Sequence, residues 1–79
     1  MERTKFLELC QKSAIGEAVE VEYNGSAFKP HGYELTFDNN GKARHTAILL
    51  DKTGISILRC RLELVSEFVA ELVSELEKH

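Results

Sequence analysis

The sequence predicts an α+β domain: an N-terminal helix, a four- to five-stranded bent antiparallel sheet or small barrel, and a C-terminal amphipathic helix. Three observations carry this. Val19, Val21 and Tyr23 alternate with Glu20 and Glu22 and run into Asn24-Gly25, a strand followed by two residues that tolerate positive φ. Further period-two stretches follow, each closed by an Asp/Asn/Gly turn. Both ends of the chain switch to apolar spacings of three and four, the signature of a half-buried helix.

Taken in order, residues 3–15 read as the first helix, with Phe6, Leu7, Cys10 and Ala14 on one side and Leu9 beside them. Thr4 offers an N-cap, and Gly16 a left-handed C-terminal stop. A strand over 17–23 turns at Asn24-Gly25 into a partner over 26–29. Pro30-His31-Gly32 should bend or bulge that partner, because proline donates nothing to a ladder. Tyr33, Leu35 and Phe37 then alternate up to the turn Asp38–Gly41. Lys42–Leu50 makes the next strand, Asp51–Gly54 the next turn and Ile55–Arg61 the last strand. In that strand Ile55, Ile57, Arg59 and Arg61 share one face, and Ser56, Leu58 and Cys60 the other. Short strands with tight turns and a mid-strand kink suit a strongly bent sheet or an SH3-like barrel. From Leu62 the spacing of Leu62, Val65, Val69, Leu72 and Leu76 predicts a helix over 63–78, widened by Phe68 and Val73.

The 79 residues make a single domain over 1–79. A chain this short buries only about 60% of the surface its unfolded form exposes, so its stability margin is thin. No apolar run approaches the ~20 residues of a membrane span, and Phe6–Cys10 is too short and charged for a signal peptide. The expected location is the cytoplasm. Cys10 and Cys60, each among apolar neighbours and without C-x-x-C spacing, read as reduced core thiols.

No catalytic, cofactor or metal motif emerges. The five glycines are isolated, and neither a dinucleotide fingerprint nor a phosphate-binding loop occurs. His31 beside Glu34 sits in a Pro-His-Gly bend that exposes histidines for ordinary reasons. Cys10, Cys60, His31 and His45 come from four separate segments, against the paired spacing of structural zinc sites. His45, between Arg44 and Thr46, reads as a surface or rim residue. The chain is expected to be a non-enzymatic binding module.

Two partner classes fit. The apolar stripe of the C-terminal segment (Val65, Phe68, Val69, Leu72 and Leu76) either covers the sheet or meets an unidentified protein partner or a second copy. The net charge of −3 also hides an uneven layout. Lys42, Arg44, Arg59 and Arg61 fall in the strand region, and glutamates in the tail. Those four bases are the candidate contacts for RNA or single-stranded DNA. Tyr23, Phe28, Tyr33 and Phe37 all fall in the apolar phase of their strands, where core packing is the expected use.

The order of elements, with Val19–Gly25, Gly32, Phe37-Asp38 and the basic strand Leu58–Leu62, resembles the Sm-like small β-barrels, which include a bacterial RNA chaperone. That resemblance implies a barrel and RNA binding. Lys42 and the pair Arg59-Cys60 depart from that family's Asn and Arg-Gly. The stretches Gly32–Asp38 and His45–Leu49 are also similar to small proteins encoded by phages and prophages of Firmicutes, which implies an accessory role without an active site.

Overall fold

Residues 1–68 are described by the structure, a computed structural model. Helix α1 spans Arg3–Ala14, and strands β1 (Val21–Tyr23), β2 (Ser26–Phe37), β3 (Ala43–Leu50), β4 (Ile57–Arg61) and β5 (Ser66–Glu67) follow. All pairings are antiparallel, in the order β4-β3-β2-β1-β5. The edges β4 and β5 do not pair with each other, so the sheet is open, not a hydrogen-bonded barrel.

Helix α1 starts one residue before the expected cap: Glu2 holds the N-cap position without a side-chain bond, and Thr4 lies inside the helix. Its end follows the expectation. Gly16 has φ +95°, its N–H donates to Ser13 O, and Glu17 N–H donates to Lys12 O, the paired bonds of a Schellman stop. Phe6 and Leu9 are buried, with Cys10 packed behind them, whereas Leu7 faces outward.

Strand β1 is shorter than predicted. Val19 N–H bonds Glu17 O in a tight local turn, and the ladder begins only at Val21. The Asn24-Gly25 hairpin stands as read, with φ 53° and 81°, and Tyr23 opposite Ser26. Open space surrounds the position of a Cβ at Gly25, so only its φ resists substitution. Gly25→Val should therefore lower stability by ~1 kcal/mol or more, visible as a fall in urea midpoint at unchanged slope.

The Pro30 bend does not end β2. Pro30 pairs with Leu49 and Gly32 with Ile48, leaving His31 as a bulge in one continuous strand. Pro30 is tolerated because it lies beyond Phe28, the last β2 residue paired to β1.

The C-terminal expectation changes most. In place of a helix from residue 63, Leu62–Leu64 makes a 3-10 turn, Val65 is extended, and Ser66–Glu67 pair with β1. Burial of Leu62 and Val65 and the need to pair the free edge of β1 outweigh the helical spacing. The rest of that predicted helix, from Val69, lies outside the described residues.

The core gathers Phe6, Leu9, Val21, Ala47, Leu49, Cys60, Leu62 and Val65 between α1 and one face of the sheet. The β3–β4 turn is held by Asp51, whose Oδ1 accepts from Thr53 Oγ1 at 2.7 Å and from the N–H groups of Ile55 and Ser56. The Thr53 hydroxyl first, and the Ser56 and Ile55 amides after it, hold the Asp51 carboxyl below its usual range. A carboxyl depressed by folding stabilises above its unfolded pKa, and that contribution is lost as pH falls through the folded value. The melting-temperature gap between wild type and Asp51→Asn should thus be widest near neutrality and close in acid.

Candidate functional site: a basic groove on an open strand edge

Strand β4 pairs with β3 only from Thr46 to Leu50, because after Arg61 the chain turns away into Leu62–Leu64. Strand β2, in contrast, follows β3 back to Ala43. Among the described residues, Ala43–His45 thus have a neighbouring strand on one side only. Hydrogen-bond parity shows which backbone groups this leaves open. Asp38 N–H donates to Lys42 O at 3.0 Å, so alternate residues from Lys42 onward, including Arg44 and Thr46, bond toward β2. At the other end Asp51 N–H donates to Ser56 O at 3.1 Å, which sets Leu49 and Ala47 to bond toward β4. Both counts put the N–H and C=O of Ala43 and His45 on the β4 side, where no strand of the described residues meets them.

This edge forms the floor of an open groove of about 680 Å³. Arg3 lines it from α1, Lys42 from the turn before β3, Arg44 from β3, and Arg59 and Arg61 from β4. The structure thus brings together all four bases singled out in the sequence and adds a fifth. Two carboxylates, Asp38 and Glu63, also line it. Asp38 is committed to its own turn, its Oδ1 accepting from Asn40 N at 2.8 Å and Lys42 N at 2.9 Å. Arg61 Nη1 lies 3.7 Å from Glu63, and Arg59 Nε lies 3.6 Å from Glu34, both exposed pairs that contribute little. Arg3, Lys42 and Arg44 make no ion pair among the described residues.

Register explains the layout. Thr46 lies opposite Arg61 and Ile48 opposite Arg59, so Arg44, Arg59 and Arg61 stand on the sheet face away from the core. His45 belongs to the other phase, exposed at the groove's rim, its ring stacked on Tyr33 at 5.8 Å between centroids. The Tyr33 hydroxyl and His45 Nδ1 are hydrogen-bonded.

The aromatic expectation needs one correction. Tyr23, Phe28 and Tyr33 pack against the core, but Phe37 is 66% exposed. The β2–β3 hairpin runs on past α1, and among the described residues nothing covers the apolar phase there. Of the stripe read as a partner surface, Val65 is only 2% exposed and belongs to the core, while Phe68 is exposed. Val69, Leu72 and Leu76 lie outside the described residues.

Both cysteines are free thiols. Burial pushes Cys10 up to about 11 and also raises Cys60, which leaves both protonated and weakly nucleophilic near neutrality. Iodoacetamide should therefore label native protein slowly and urea-unfolded protein fast. Among the described residues no three His, Cys, Asp or Glu side chains converge as metal ligands, and no helix is long and apolar enough to cross a membrane.

Sequence reasoning missed Arg3 and the open edge. The first turn of α1 carries Arg3 and Lys5 and no acid, contrary to what the helix dipole favours, and that was the available signal for Arg3. The open edge had none, because it depends on where β4 stops. No protein-family model, curated protein or solved structure matches the chain.

Proposed function

We propose that this protein is a non-enzymatic protein-interaction module that captures an extended acidic segment of a partner by adding it as a strand to the open edge of β3. The observation that carries this reading is the coincidence of two features in one groove. Backbone groups at Ala43 and His45, unpaired among the described residues, offer an alternating row of donors and acceptors, and five basic side chains surround them. Main-chain bonds supply affinity in such strand addition, and the flanking side chains select sequence. Acidic side chains of either phase meet a base, Arg44 and Arg61 on one side and Arg3 on the other.

RNA or single-stranded DNA would satisfy the bases but has no regular row of donors for the Ala43 and His45 carbonyls. Most aromatic rings that could stack bases are also used in the core. The resemblance read from Gly32–Asp38 and His45–Leu49 to phage and prophage proteins would imply an accessory role toward a host protein.

The test is fluorescence anisotropy with a short labelled peptide alternating Glu and Val, the same peptide N-methylated at every amide, a Lys/Val counterpart and oligo(dT). Only the unmethylated acidic peptide should bind, more weakly as salt rises. Equal binding of the methylated peptide would remove strand addition. Tight binding of oligo(dT) alone would replace the protein partner by a nucleic acid.

A further inference from the structure

We infer that Tyr33 sets the tautomer of His45, so that the groove presents the His45 Nε2–H as a fixed donor to a carboxylate of the bound segment; this rests on the reading above. The geometry is specific. His45 stands at the groove's rim, its ring stacked on Tyr33 with 27° between planes, and the Tyr33 hydroxyl meets Nδ1. A neutral imidazole has one donor and one acceptor nitrogen, and the partner of one nitrogen decides the role of the other. A phenol is a better donor than acceptor, so Tyr33 O–H donates to a bare Nδ1, and the proton sits on Nε2. If the imidazole gains a second proton, Nδ1–H donates back to the phenol oxygen and Nε2–H remains a donor. The exposed nitrogen is thus a donor in either charge state, as a carboxylate or backbone carbonyl ligand requires. Tyr33 is a positioning residue: its ring lines a shallow neighbouring cleft with Leu7 and Gln11, outside the basic groove.

The backbone supports the same arrangement. Leu35 lies opposite His45 and Ala47 opposite Tyr33, so the two rings are diagonal neighbours on one face of the β2–β3 pair. The small Ala47 leaves room for this diagonal contact. A longer residue there would push the rings apart.

Imidazole nitrogen shifts, read by long-range proton–nitrogen correlation on the full chain at about pH 8.5, where a histidine is ordinarily neutral, test this directly. Wild type should show Nδ1 as the unprotonated nitrogen, with the opposite tautomer about fivefold rarer than in a solvent-exposed neutral histidine. Tyr33→Phe should return the populations to those of a solvent-exposed histidine, with an unchanged circular dichroism spectrum. Adding the acidic peptide should move the Nε2–H resonance in wild type, and Tyr33→Phe should bind it about three- to fivefold more weakly. A wild-type spectrum with Nδ1 protonated overturns the inference whatever the peptide does. Peptide binding with no response at Nε2 and no loss in Tyr33→Phe overturns it too, yet leaves the strand-addition reading intact. Absence of peptide binding by anisotropy is the separate result that overturns that reading.

Discussion

Phe6→Ala is expected to cut stability by about 3–5 kcal/mol, a large fraction of the chain's whole margin. Phe6 is fully buried and is the largest side chain that α1 inserts against Val21, Leu49 and Val65. Truncating a buried phenylalanine costs about 3–5 kcal/mol, through lost burial and the cavity left behind. At ~0.05–0.15 kcal/mol per residue, a chain of 79 residues has a total stability of about 4–12 kcal/mol. The loss is therefore comparable with the whole margin at its lower end. Phe37→Ala, the same change at a 66% exposed site, should alter stability by no more than ~0.5 kcal/mol. Urea titrations of the two variants check both statements. A Phe6→Ala protein with the wild-type midpoint would mean that α1 does not pack on the sheet.

The second large effect concerns recognition. Arg44→Glu combined with Arg61→Glu should weaken binding of the acidic peptide by about a hundredfold, at about tenfold or more for each lost charge-assisted contact. Both side chains are exposed on the outer face, and Arg61 gives up only a surface pair with Glu63, so the melting temperature should hardly change. The reversed groove should gain affinity for the Lys/Val peptide. Loss of binding together with loss of fold would not count in favour of the groove. Circular dichroism must therefore accompany the titration.

Much of the fold was legible because it rests on local chemistry. Asn24-Gly25 and Gly16 impose backbone conformations that few other residues accept, and both do what their types predict. The alternation of Leu58 and Cys60 with Arg59 and Arg61 gave the correct faces of β4. Errors arose where a distant partner decides the local state. Leu62 and Val65 carry helical spacing, yet they are drawn into the core and deliver Ser66–Glu67 to the free edge of β1. Phe37 and Leu35 carry strand alternation, but whether the inner face is covered depends on how far α1 reaches. The candidate site was legible in part: Lys42, Arg44, Arg59 and Arg61 could be named from charge alone. What makes them a groove, the early stop of β4 against a longer β3, is a difference in strand length that periodicity does not report.

Amide hydrogen exchange at three consecutive residues tests strand addition most directly. Arg44 N–H already bonds toward β2, whereas those of Ala43 and His45 face the groove. Saturation with the acidic peptide should slow exchange at Ala43 and His45 and leave Arg44, protected beforehand, nearly unchanged. This alternation is the mark of an added strand, since a ligand held only by side chains has no reason to choose every second amide. Binding that leaves Ala43 and His45 exchanging as fast as in the free protein would contradict the account.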